Sequence, residues 1–151
     1  EVLTELPSKR RQRIQIQVDD KAKLAALANL RGQLKQSAAE DPQVKHKLLM
    51  QLYVETCQAK IASVCEYVLD LVQGGCKFLV FGHHHAMLDA LEYSVKGKNV
   101  KYIRIDGSVK ASERHRQVKE FQGDDQVRVA ILGLMAAGVG ITLTAASTVV
   151  F

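Results

Sequence analysis

The strongest constraint on this chain lies in its second half, where short apolar runs alternate with stretches of helical spacing. Phe78-Leu79-Val80-Phe81 is a continuous apolar run of strand length, the pattern of a strand buried on both faces. After Gly82, the residues Met87, Leu88, Leu91 and Val95 recur at helical intervals. Val100 to Ile105 reads as a second strand, and Asp106-Gly107-Ser108 turns out of it. A helix from about Ser112 to Phe121 directs Val118 and Phe121 inward, with Arg114 on or near the same side. Val127 to Leu132 is a third strand, Ala136 to Gly140 a compact loop of small residues, and Thr148 to Phe151 the start of a fourth strand. This alternation predicts an α/β fold over residues 76–151, a parallel sheet with helices on both faces. Ligands of such sheets collect at the carboxyl ends of the strands, so the turns that follow the strands are where chemistry is expected.

The first half has a different rhythm. Residues 1–19 read as a linker that becomes extended: Pro7 lies in LPSKRRQR, and Ile14, Ile16 and Val18 alternate with glutamines, the period of a half-buried strand. Residues 20–75 are helical. Leu24, Leu27 and Leu34 form one run, and Pro42 opens a second with Val44, Leu48 and Leu52. Ile61, Val64, Cys65, Val68, Leu69 and Val72 form a third run, ended by Gly74-Gly75. The expectation is a helical hairpin plus one further helix, serving as scaffold.

Composition removes several classes. At 47% hydrophobic and 25% charged, the chain has the balance of an ordinary globular domain rather than a disordered tail. No apolar run approaches the ~20 residues of a membrane helix. The three cysteines, Cys57, Cys65 and Cys76, form no CxxC pair and suit a reducing compartment without structural zinc. Cys57 and Cys65 read as apolar packing. The net charge of +5 is uneven: residues 96–119 hold eight Lys and Arg against two acidic residues, +6, and the remainder holds thirteen against fourteen, −1. Such a block is what a polyanion-binding face requires, although a solvated helix face gives the same count. A second cluster, Lys9, Arg10, Arg11 and Arg13, reads as exposed linker.

Three turns combine glycine with hydroxyl or imidazole groups just before a helix: Gly82-His83-His84-His85, Asp106-Gly107-Ser108, and Gly133 to Thr144. Helix N-termini offer unpaired amides and a partial positive charge, and glycine lets a phosphate approach the backbone. With Lys101, Arg104, Lys110 and Arg114 nearby, the three turns together predict a nucleic-acid backbone site. Other readings fall away. No GxxxxGK[ST] occurs, so the chain has no P-loop of its own, and Gly138-Val139-Gly140 lacks the third glycine of a dinucleotide fingerprint. Consecutive histidines at a turn point in different directions, and only Asp89 lies close, so no metal site is expected at His83–His85.

The order KFLVFGHHHAMLDAL, YIRIDGSVKASERHRQVKEFQ, RVAILGLMAAGVGITLTAASTVVF resembles the second RecA-like lobe of Swi/Snf-related helicase-like ATPases. It is most similar to the annealing helicases, of the HARP type and of the type carrying a Ran-binding zinc finger. LTELPSKRRQRI resembles the segment leaving the first lobe, and AKIASVCEYVLDLV the helix before the second lobe's first strand. The resemblance covers most of residues 1–18 and nearly all of 59–151, and residues 20–58 are left unaligned.

The resemblance implies roles residue by residue. Phe81-Gly82-His83 matches a motif that lies against one DNA strand; relatives often have serine at the place of Gly82, so backbone amides would serve here. Arg104, Asp106, Gly107, Ser108, Lys110 and Arg114 belong to the DGS…R region and its basic surroundings, which would contact phosphates. Gly133 stands where relatives have a DNA-contacting serine or threonine. Gly138, Gly140 and Thr142 match the residues that close over ATP from the second lobe. ATP and Mg²⁺ would be held mainly by a first lobe preceding residue 1, and the arginine-finger motif would follow Phe151. Such fingers are worth 10³–10⁵ in rate, so the fragment alone is expected to be inactive. The complete protein is expected to be a nuclear, DNA-dependent ATPase that rewinds or remodels DNA in a replication-fork or repair context. Its partners would be the DNA sugar-phosphate backbone and the first lobe, with no membrane. The alternatives are a lobe of a nucleosome-remodelling ATPase, or a nucleic-acid-binding module without catalysis.

Overall fold

The computed structural model describes residues 8–37, 41–137 and 140–151. Two helices come first, α1 (Lys21–Gln36) and α2 (Pro42–Gln73), followed by β1 (Phe78–Gly82), α3 (His85–Gly97), β2 (Lys101–Ile105), α4 (Ala111–Gly123), β3 (Val127–Gly133), the short α5 (Leu134–Ala137) and β4 (Thr148–Val150). The strands form one parallel sheet in the order β2-β3-β1-β4. The chain therefore steps over one position from β1 to β2, then returns to lay β3 between them. Because crossovers between parallel strands are right-handed, steps in opposite directions put α3 and α4 on opposite faces.

Each face has its own core. On one, Cys65, Val68 and Val72 of α2 and Leu88, Leu91 and Val95 of α3 pack on Phe78, Val80, Val129 and Ile131. On the other, Phe121 of α4 packs on Leu79, Ile103, Ile105, Ala130 and Leu132, with Ile141, Leu143 and Ala146 of the last loop closing over it. Val127 and Val129 should share a face by strand alternation, yet they belong to different cores. The register explains this: Lys101 pairs with Val127 and Tyr102 with Val129, leaving Arg128 as the extra residue of a β-bulge. The displaced Arg128 guanidinium donates to the Val72 carbonyl at the end of α2, a good place for a cation.

The helix ends follow local chemistry. Asp20 caps α1 by accepting from the Lys23 amide, and Asp41 caps α2 through the Gln43 amide with Pro42 at the first helical position. At the other end of α2, the Cys76 amide reaches the Leu71 carbonyl and the Gly75 amide the Val72 carbonyl. This is a Schellman closure, and its left-handed residue is Gly75 at φ 79°. Asn99 does the same for α3, at φ 56°.

Three expectations need correction. Residues 42–73 are one 32-residue helix rather than two, because no glycine or proline interrupts the stretch between Leu52 and Ile61. The alternation of Ile14, Ile16 and Val18 produces no strand; the segment has no strand beside it and Ile14 is exposed, while the Gln17 carbonyl accepts from the Ser63 hydroxyl. The loop expected at 136–140 begins with the helical turn α5.

One buried polar network holds β2 to its surroundings. Arg104 lies between Asp89 at 2.7 Å, Glu92, and Asp106, whose Oδ2 accepts from Nε at 2.9 Å. Burial alone would lower the Arg104 pKa, but hydrogen bonds to Glu92, Asp89 and Asp106 outweigh it and raise it. Asp106 is only 3% exposed. The Ser108 hydroxyl is the main influence that depresses its pKa to about 2, with the Ser108 amide and Arg104 adding to it against the cost of burial. A carboxylate whose pKa falls on folding stabilises the fold above its unfolded value and loses that contribution as pH falls through its folded one. Between about pH 4 and pH 2 the wild-type chain should therefore lose about 2 kcal/mol through this group, and Asp106→Asn should flatten that limb in acid unfolding followed by circular dichroism. Arg104→Ala, which strands the buried carboxylate, should cost about 3 kcal/mol in urea unfolding at neutral pH.

Candidate functional site

The carboxyl ends of β1, β2 and β3 lie side by side. Gly82 pairs with Gly133, and Ile105 with Leu132 one step earlier, so Asp106 comes up against Gly133. A Cβ at Gly133 would stand 3.3 Å from both Cα and Cβ of Asp106. A side chain there would oblige the β2–α4 turn to give by a few tenths of an ångström. A Cβ at Gly82 would stand 2.8 Å from Cδ2 of Leu88, a core side chain. At both glycines close packing takes up the space a side chain would need.

Besides the short α5, two longer helices, α3 and α4, start at this edge, and their N-termini differ from those of α1 and α2. His84 is the N-cap of α3 and Lys110 that of α4, and neither side chain accepts from the first turn. The two scaffold helices carry aspartate at that place; the two at the strand ends carry basic side chains and leave the amides open. Such an arrangement suits an anion. His83 is exposed, and its ring meets that of His84 edge-on at 4.9 Å. Among the described residues no group of three or more His, Cys, Asp or Glu could hold a metal ion.

In the β2–α4 turn, Asp106 accepts from the Ser108 amide at 2.9 Å and from the Ser108 hydroxyl at 2.6 Å. Asp106 is therefore an organiser of the turn. The Ser108 hydroxyl proton is committed to it, which leaves that oxygen as an acceptor, while Gly107, Ser108 and Lys110 are exposed. Arg104 departs from the expectation: its guanidinium faces Asp89, Glu92 and Asp106, so it braces the turn and has no free fork for a phosphate.

Arg114 stands in the first turn of α4. Its Nε is buried without a hydrogen-bond partner, and among the described residues its guanidinium forms no ion pair. It borders an open cleft of about 370 Å³ with Ala111, His115, Val118, Gly140, Ile141 and Thr142. Gly140 adopts φ 71° and Thr142 is exposed. Gly138 lies outside the described residues. A residue expected at DNA thus shares one cleft with two expected at ATP. The unpaired guanidinium, the hydroxyl and the open glycine backbone fit phosphate oxygens of either.

The basic block does not form one face. α3 runs away from the carboxyl edge, so Lys96 and Lys98 emerge at the opposite end of the sheet, where β2 begins at Lys101. Lys101 pairs with Asp124 at 3.0 Å, and Arg116 with Glu113 and Glu120. Lys110 and Arg114 remain at the carboxyl edge without an ion pair among the described residues. The cleft residues Ala111, His115 and Ile141 carried no signal in the sequence; only their distance from Arg114 along α4, and the loop that closes on it, reveals them.

Comparison with known proteins identifies the family and the fold. The model of the helicase conserved C-terminal domain matches residues 59–151. The DNA annealing helicase and endonuclease ZRANB3 of Bos taurus is 41% identical over 157 residues, covering 100% of this chain and 14% of that protein. The SWI/SNF-related matrix-associated actin-dependent regulator of chromatin subfamily A-like protein 1 of Xenopus tropicalis is 39% identical over 155 residues, covering 100% of this chain and 16% of that protein. The chain therefore spans about a seventh of the length of these curated relatives. In fold it is similar to the Sulfolobus solfataricus SWI2/SNF2 ATPase C-terminal domain, with a TM-score of 0.67 at 16% identity over 85% of this chain and 65% of that one. A parallel RecA-like sheet, helices on both faces and a match across residues 59–151 make this chain a member of the helicase conserved C-terminal domain family.

Proposed function

We propose that the chain is the second lobe of an ATP-dependent DNA translocase that rewinds or remodels DNA, working in the nucleus at forks or sites of repair. The observation that carries this reading is the cleft where Arg114, Gly140 and Thr142 meet, beside two helix N-termini left open at the strand ends. Its likeness to a DNA annealing helicase supplies the substrate class. Gly82, His83, Gly107, Ser108, Lys110 and Arg114 are the contacts to the sugar-phosphate backbone, with Asp106 and Arg104 positioning the turn. Backbone contacts suit a motor, because reading bases would tie its progress to sequence. Gly138, Gly140 and Thr142 meet ATP from this side. A first lobe supplies the P-loop and the Mg²⁺ ligands, which this chain's sequence lacks. No helix among the described residues is long and apolar enough to cross a membrane.

DNA-stimulated ATP hydrolysis by the complete protein tests the reading, and a protein whose turnover ignores DNA would refute it. Arg114→Ala in that protein should weaken DNA binding and reduce the slope of log affinity against log salt by about 1; an unchanged slope would remove Arg114 from the interface. Gly140 is the second test. A Cβ there meets nothing within 4 Å, so only its left-handed backbone resists substitution. Gly140→Val should cost more than ~1 kcal/mol locally and cut DNA-dependent turnover severely, with Gly140→Asn retaining much more of it, as asparagine tolerates that conformation. Equal turnover in the two variants would show that the loop's conformation is irrelevant to ATP use.

A further inference from the structure

The first half of α2 overhangs the carboxyl edge of the sheet. α2 runs toward Gly74 and the beginning of β1, so its course from Gln73 back to Pro42 leads from the amino edge toward the carboxyl edge. α2 packs against α3 along this course, and Cys57 is the last residue of the packed stripe to be buried. Residues Pro42 to Thr56 continue beyond it for about 22 Å at the helical rise of 1.5 Å per residue.

The overhang keeps the same face toward the site. On the packed half, Val68, Val64, Ile61 and Cys57 follow one another at intervals of four, three and four and lie on the lobe. The same alternation continues through Val54, Met50 and Lys47. α1 covers the opposite side through Leu27 and Leu30, against the half-buried Leu48, Leu49 and Leu52. The continuing stripe is left open: Val54 is 48% exposed, Met50 41% and Tyr53, which flanks it, 53%. His46 and Lys47 extend it as exposed basic side chains. The stripe therefore stands over the β1–α3 turn, with His83–His85 and the uncapped N-terminus of α3 as its floor.

We infer that this overhang is the second wall of the nucleic-acid path, taking one DNA strand between itself and the β1–α3 turn. The inference rests on the DNA-backbone reading above. Wall and floor match the two chemistries of a strand: Lys47, His46 and the open amides face phosphates, and Tyr53, Met50 and Val54 offer an apolar surface to sugars and base faces. Aromatic contacts of this kind tolerate any sequence, as a translocating strand requires.

The test uses the complete protein with the photo-crosslinking residue p-benzoylphenylalanine placed at position 53 or, separately, at position 110, and a radiolabelled duplex bearing a single-stranded tail. Labelling of DNA from both positions is the expected result. Labelling from position 110 alone overturns the second wall and leaves the edge site standing; labelling from neither overturns both. A crosslink from position 53 to protein in place of DNA also overturns it, since the stripe would then be a protein contact. In parallel, the double substitution Lys47→Ala with Tyr53→Ala should weaken binding of the tailed duplex about tenfold and lower the salt slope by about 1. The melting temperature should be retained, because both side chains are exposed. Unchanged affinity in that variant counts against the wall.

Discussion

All four strands run the same way, and that single constraint decides where everything else can sit. A parallel strand cannot be reached by a tight turn, so each return must recross the sheet as a helix or long loop. The exits from the strands then gather at one edge and the entries at the other. At the exit edge the backbone turns from strand to helix, and each helix begins with amides that the helix cannot satisfy. Gly82 beside Gly133, and Gly133 against Asp106, bring these exits within side-chain distance. Polarity of the sheet produces the site before any particular residue is chosen.

Residue choice then separates the two ends. Aspartate closes the N-termini of α1 and α2 by accepting from a first-turn amide. Histidine and lysine occupy the same position at α3 and α4 and supply no acceptor. Loss of a cap typically costs about 1 kcal/mol, a modest sacrifice against a core of this size. Compensation comes from within the turn: Asp106 holds Ser108 through two hydrogen bonds and is itself held by Arg104, which Asp89 and Glu92 of α3 anchor. Rigidity thus sits just behind the exposed Gly107 and Ser108, and its centre, the Asp106 carboxylate, is buried.

Much of this was legible in the sequence, for identifiable reasons. Phe78–Phe81 and Val127–Leu132 can be nothing but doubly buried strands, and Gly75 marks a left-handed helix end that few other residues adopt. The places that resisted are those where the determining partner lies elsewhere in space. Ile14, Ile16 and Val18 have the pattern of a strand but no edge to join. Residues 42–73 change their apolar stripe's surroundings midway, from open to buried, and a change of surroundings resembles a boundary although no breaker is present. The run of basic residues from 96 to 119 looks continuous, but one helix, one strand and another helix carry it across the sheet and back, so its charges emerge at both ends. The pairing of Arg104 with three carboxylates is hidden in the sequence for the same reason. Its three carboxylates come from α3 and from its own strand's end, and linear charge counting assigns each of them to a different place.

The cleft at Arg114 bears on how a lobe of this kind couples two ligands. Arg114 belongs to α4, whose N-terminus rises from the DGS turn, and Gly140 and Thr142 belong to the loop after β3. The loop is tied to α4 by Gln122, which bonds Thr144 and Ala145, and by Ile141, Leu143 and Ala146 on the Phe121 core, while the guanidinium Nε of Arg114 is buried without a partner and Gly140 has open space where a side chain would stand. On the reading proposed above, a phosphate of either ligand gives the Arg114 guanidinium the anion it lacks. Under the proposed function, ATP arriving on the loop changes the position of Arg114, and DNA held by Arg114 changes the geometry offered to ATP. Such coupling is reciprocal by necessity. On that reading it needs no long-range path, because Arg114, Gly140 and Thr142 line one cleft and a group bordering both ligands is enough to couple them.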